Sequence, residues 1–129
     1  MAEASSALRS QVRERAAGKC EYCLVAEAHS LLGHEIDHVV ALKHGGETTF
    51  ENLALCCTIC NKHKGSDLAS IDSTTGTLQP LFHPRHDRWA DHFDLHDGEI
   101  VPRTAAGRAT VRLLRLNRPE RIKERRMPA

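Results

Sequence analysis

Two Cys-x-x-Cys pairs, Cys20/Cys23 and Cys57/Cys60, frame an adjacent Asp37-His38 and an isolated Asn52. Each two-residue gap lets both thiolates of a pair reach one tetrahedral ion, and two such pairs close a four-thiolate shell suited to Zn²⁺. A shell of that kind leaves no open position, so the zinc reads as structural. The cysteine count of five is odd, which argues against a disulfide framework and for metal binding. Cys56 is left over, because Cys57 gives the usual knuckle gap to Cys60 and Cys56 does not. Between the pairs lie groups for a second chemistry. Hydrolysis of a phosphodiester needs a base to activate water and a cation to offset charge on the phosphorane and the leaving oxygen. A neutral imidazole such as that of His38 suits the first task near pH 7. Hard oxygen ligands that leave open coordination positions suit the second. On a strand, Asp37 and His38 face opposite ways. If the strand ends there, the carboxylate can face a following helix and the imidazole the substrate. Asn61, directly after Cys60, is placed to complete a cation site opposite Asp37.

These residues need a frame, and the chain offers the simplest one. Residues 5–17 read as a helix, capped by Ser5 or Ser6, with Leu8, Val12 and Ala16 on one face. Gly18 stops it and delivers Cys20 into a tight turn. Residues 24–32 suggest a loop with at most a helical turn. Residues 34–42 read as a strand, Lys43-His44-Gly45-Gly46 as a turn, residues 48–51 as a short capped turn and residues 53–55 as a second strand. A helix is expected from Thr58 to Lys64, ended by Gly65. Beyond residue 68 two hairpins (69–81 and 94–101) flank a short helix holding Trp89. A helix capped by Thr104 runs to about Asn117, and a Pro119-initiated, arginine-rich helix follows. Phe82, Trp89 and Phe93 are expected to pack this extension onto the core. His34 and His44 read as solvated loop residues.

At 129 residues the chain has the size of one ordinary domain, with only five aromatic residues to build a core. So thin a supply of large side chains gains from a metal staple. No apolar run is long enough to span a membrane, and the N-terminus lacks a signal-peptide segment, so a cytoplasmic protein is expected. The net charge of +1 hides a segregation: residues 1–20 balance to +2, residues 21–102 to −8 and residues 103–129 to +7. Basic ends around an acidic, metal-capable middle suit a nucleic-acid partner. Arg108, Arg112 and Arg115 recur on one helical face, and Lys62 and Lys64 follow Cys60. These five are the candidates for DNA contact, with a solvated face as the bland alternative.

The order Cys-x-x-Cys, Asp37-His38, Gly45-Gly46, Asn52-Leu53 and Cys57-x-x-Cys60-Asn61-x-x-Lys64-Gly65 resembles the HNH endonuclease family. The resemblance covers roughly residues 18–66 and includes the zinc-knuckle subtype. It implies an α+β fold: a ββα-metal (HNH, or His-Me finger) core stapled by the Cys₄ zinc site, with an N-terminal helix and a C-terminal hairpin/helix extension. The expected organisation is 1–68 for the helix and core, and 69–129 for the extension. The resemblance further implies that His38 is the general base, that Asp37 is a ligand of the catalytic metal, and that Asn52 orients the base or pins the loop. It implies cleavage of DNA, most simply double-stranded, to 5′-phosphate and 3′-hydroxyl ends.

One position departs from the common pattern. The family's last histidine falls at Asn61, as in His-Asn-Asn variants that ligate through the amide oxygen. His63 lies two residues on, which on a helix turns it away from Asn61's face; Asn61 is favoured and His63 remains the alternative. An amide oxygen favours Mg²⁺ or Mn²⁺ over Zn²⁺ or Ni²⁺ as the catalytic ion. The rival reading is a catalytically silent, zinc-stabilised nucleic-acid-binding module, which the same departure feeds. A homodimer is the simple route from nicking to double-strand cutting.

Overall fold

The computed structural model describes residues 3–128. Helix α1 (Ser6–Arg15) opens where the Ser5 hydroxyl accepts from the Leu8 N–H at 3.1 Å. This satisfies one of the donors that a helix start leaves bare. Val12 is its buried residue and packs with Leu53 and Leu55 in a small apolar cluster. Arg15 fixes the helix further: its guanidinium donates to the Phe50 and Leu53 carbonyls and lies 3.8 Å over the Phe50 ring. The chain then reverses through Ala17 and Gly18, both at positive φ, into the first cysteine knuckle.

Strand β1 (Glu35–His38) pairs antiparallel with β2 (Leu53–Cys56), setting Asp37 opposite Ala54 and His38 opposite Leu53. β1 is shorter than the nine residues expected from its pattern, and Asn52 is the reason. Its Oδ1 accepts from Val40 N at 3.0 Å and its Nδ2 donates to Val40 O at 3.0 Å. A side chain thus takes the two backbone groups that a longer ladder would use. Asn52 Nδ2 also donates to the Glu47 carbonyl at 2.8 Å, closing the loop between the strands. That loop requires its glycines: Gly45 has φ +88°, and a Cβ on Gly46 would collide with the Val40 carbonyl.

Helix α2 (Thr58–Lys64) follows β2 at once. Cys57 caps it by accepting from the Cys60 N–H, and Gly65 ends it at φ +53°, as the sequence suggested. The strand–loop–strand–helix order is therefore a ββα unit.

In the extension, β3 (Ala69–Ile71) pairs with β4 (Leu78–Pro80), and β5 (Phe93–His96) with β6 (Glu99–Pro102). The short helix α3 (Trp89–His92) leads into β5; α4 (Ala105–Leu114), capped by Thr104, and α5 (Pro119–Arg125) complete the fold. α4 ends earlier than expected, at Arg115 in the left-handed conformation (φ +52°). Asn117 holds the α4–α5 junction to β6, exchanging both amide hydrogen bonds with Ile100 at 2.8 and 2.7 Å.

The main core joins the knuckles to the extension: Tyr22 and the five cysteines are buried with Phe82, Phe93, Ile100, Leu114 and Leu116. Phe82 meets Tyr22 and Phe93 edge-on at 6.3 and 5.5 Å, and Trp89 Nε1 donates to the Tyr22 carbonyl at 3.1 Å. These aromatic residues do pack the extension onto the core. Among the described residues, no helix is long and apolar enough to cross a membrane.

Candidate active site and metal centre

The four knuckle thiols come together. Cys20, Cys23, Cys57 and Cys60 are buried, and their sulfurs all lie within 4.8 Å of one another. Among the described residues, no other set of three or more His, Cys, Asp or Glu side chains is arranged to hold a metal. The N–H of Cys23 points to Cys20 Sγ at 3.5 Å, and that of Cys60 to Cys57 Sγ at 3.3 Å. Backbone donors aimed at sulfur favour the thiolate, the form that binds metal. Burial, spacing and donor set all fit one tetrahedral ion. Cys56 is buried beside this set and is not part of it.

The second site forms where β1 ends. Alternation along the strand puts Glu35 and Asp37 on the face covered by α2 and turns His38 away from it. From α2, Asn61 Nδ2 donates to Glu35 Oε1 at 3.0 Å, while Lys64 Nζ lies 3.4 Å from Asp37 Oδ2. Lys64 Nζ also donates to the Val39 carbonyl at 3.1 Å, and the Tyr22 hydroxyl donates to Asp37 Oδ2 at 3.3 Å. Asp37 is only 7 % exposed. Burial raises its pKa above the ordinary carboxylate value, against the pull of Lys64, the Tyr22 hydroxyl and His38. Both of Asp37's contacts use Oδ2; Oδ1 takes part in neither.

His38 stands on the other side. Its Nε2 lies 2.9 Å from Thr48 Oγ1, in the loop that Asn52 closes. The ring borders an open cleft of about 560 Å³, walled by Glu35 and Ile36 of β1 and by Arg9 and Arg13 of α1. The end of β1 thus separates the two groups as the sequence suggested, with the carboxylate under the helix and the imidazole at a cleft.

Other sequence expectations need correction. Lys64, read as a candidate for phosphate contact, is 2 % exposed and serves as the internal cation of Asp37. Arg108 grips the buried Asp72 with two hydrogen bonds of 2.9 Å, which fastens α4 to the β3–β4 hairpin and occupies its guanidinium. His34 is buried, with Nε2 on the Val25 carbonyl at 2.9 Å, rather than solvated. Lys62, Arg112 and Arg115 are exposed. Lys62 and Arg115 line a second cleft of about 560 Å³ with His63 and Arg118. Desolvation and the charges of Arg115, Arg118 and Lys62 lower the His63 pKa. His63 therefore sits among the cations of a groove that Glu120 and Glu124 also line, whereas Asn61 faces Glu35.

Three further residues, which no sequence motif marks, reach the site: Glu35, Tyr22 and Thr48. Glu35 was accessible through its i, i+2 relation to Asp37; the contacts of Tyr22 and Thr48 arise from chain packing alone.

A family model described as HNH endonuclease matches residues 20–67, the segment from the first knuckle to just past α2. No curated protein and no solved structure matches the chain. The knuckles, the ββα order and the Asp37-His38, Asn52 and Asn61 positions all fall inside the matched segment, so it is residues 20–67 that are similar to the HNH endonuclease family.

Proposed function

We propose that the protein is a metal-dependent DNA endonuclease that hydrolyses phosphodiester bonds to 5′-phosphate and 3′-hydroxyl ends. The observation that carries this reading is the split at the end of β1, with Asp37 under α2 and His38 at an open cleft. His38 acts as general base, taking a proton from the attacking water at a ring nitrogen. Asn52 holds the loop that brings Thr48 to that ring. Asp37 and Asn61 would hold a divalent cation, Mg²⁺ or Mn²⁺ by their oxygen donors, with Glu35 beside Asn61. When bound there, such an ion offsets negative charge on the scissile phosphate and the leaving 3′ oxygen. The donor set fits a hard cation, and the Lys64 ammonium beside Asp37 already marks a place where positive charge is stabilised. A structural Zn²⁺ in the four-thiolate site holds the two knuckles together. Lys62, Arg112 and Arg115 contact the DNA backbone, Lys62 and Arg115 from the groove they share with His63 and Arg118.

A second reading, a silent zinc-stabilised nucleic-acid-binding module, is favoured by one observation: Asp37 already has Lys64 and Tyr22 as partners, and Asn61 is turned to Glu35. The product ends separate the two. DNA incubated with the protein and Mn²⁺, then religated, should rejoin without prior phosphorylation; no new ends under any divalent ion supports the silent module.

A further inference from the structure

Helix α5 buries a guanidinium that its own helix leaves half partnered. Arg121 is 7 % exposed. Its Nη2 lies 2.9 Å from Glu124 Oε1, but Nε and Nη1 are buried with no hydrogen-bond partner among the described residues. Burial works against its charge, while Cys57, Glu124 and Cys23 raise its pKa. One turn later Arg125 donates from Nη1 to the Cys23 carbonyl at 3.2 Å, and from Nε and Nη2 to the Gly98 and Leu116 carbonyls at 2.6 and 2.7 Å. Two arginines one turn apart on α5, Arg121 and Arg125, thus turn toward the knuckle region from outside the family-matched segment.

A zinc ion with four thiolates carries a net charge of about −2, and burying such a centre is costly unless charge and hydrogen bonds compensate it. We infer that Arg121 is the buried counter-charge of the four-thiolate centre, and that α5 is a lid whose docking and metal retention are one equilibrium. Empty thiols leave two guanidinium nitrogens, Nε and Nη1, without acceptors; the metal-bound thiolates supply them. This rests on the zinc reading of the four cysteines and is independent of the nuclease reading.

The test uses the full chain with its zinc, metal content measured first. Release of zinc to a chromophoric chelator is followed for the wild type, Arg121→Met and Arg121→Lys. Arg121→Met keeps the apolar stem and should release zinc about ten- to a hundred-fold faster, the usual consequence of removing a group that supports metal ligands. Arg121→Lys restores the charge without the fork and should recover part of the loss. Release at the wild-type rate from a folded Arg121→Met overturns the inference, whereas a wild type without zinc overturns the zinc reading itself. Should Arg121→Met not fold, limited trypsin digestion of the wild type decides. After chelation the first cuts should fall in α5; cuts that begin elsewhere, or no change, contradict the lid.

Discussion

His38 Nε2 lies 2.9 Å from Thr48 Oγ1, a residue of the inter-strand loop rather than of either strand. The hydroxyl orients the imidazole from a segment that is itself fixed by Asn52, so the candidate base is positioned through the loop. Thr48→Val keeps the shape of the residue and removes that hydrogen bond. Cleavage should fall about tenfold or more, the lower end of what a mispositioned base costs, while zinc content and Tm stay near wild type. Wild-type cleavage by Thr48→Val would remove Thr48 from the account.

Asn52 offers a stability prediction. Asn52→Ala strips Val40 N, Val40 O and Glu47 O of their partners in one step. The Glu47 bond is exposed and the two Val40 bonds are part-buried. A group left unsatisfied costs at most about 1–3 kcal/mol when fully buried, so the Val40 pair dominates, and the variant should melt a few degrees lower and cleave poorly. Thermal denaturation checks the first and plasmid nicking the second. An unchanged Tm would mean that water replaces the amide without loss.

Asp72 and Arg108 make stability depend on acid. Arg108's two hydrogen bonds, against a smaller cost of burial, hold the Asp72 carboxyl well below the usual carboxylate range. A depressed folded-state pKa contributes stability that is fully present above the unfolded value of about 3.9 and is lost as pH falls below it. Wild-type Tm should therefore drop as pH falls from about 5, and Arg108→Ala should show a lower Tm at pH 7 with a shallower drop in acid. Equal acid slopes for the two proteins would contradict the pairing.

The same arginine separates structural from DNA-contacting cations. Arg108→Ala should leave the salt dependence of DNA affinity unchanged. Arg115→Ala, at an exposed residue, should leave Tm nearly unchanged and lower the slope of log K against log salt by about one. Fluorescence anisotropy of a labelled duplex across a potassium chloride series gives both slopes. A lowered slope for Arg108→Ala alone would reverse their assignments.

Much of the ββα unit was legible because its signals are local. The Cys57 cap and Gly65 stop bound α2 at both ends, and the two-residue gap selects Cys57 over Cys56. Asp37 and His38 separate because a strand alternates. What the sequence did not disclose depends on partners far along the chain. β1 was read too long because the group that ends it is the Asn52 side chain, twelve residues beyond Val40. The arginine-rich C-terminus read as a binding face, yet Arg108, Arg121 and Arg125 turn inward to Asp72, the knuckle region and backbone carbonyls. Charge counts give no sign of that pairing, which arises when the extension packs on the core.

The most direct test of the central claim is nicking of supercoiled plasmid by zinc-loaded protein with Mg²⁺, Mn²⁺, Ni²⁺ or EDTA, wild type beside His38→Ala. Nicking is expected with Mg²⁺ or Mn²⁺ and none with EDTA, and His38→Ala should lose nicking at unchanged zinc content and Tm. Full cleavage by His38→Ala, or no cleavage by the wild type with any ion while DNA binding persists, would contradict the central claim.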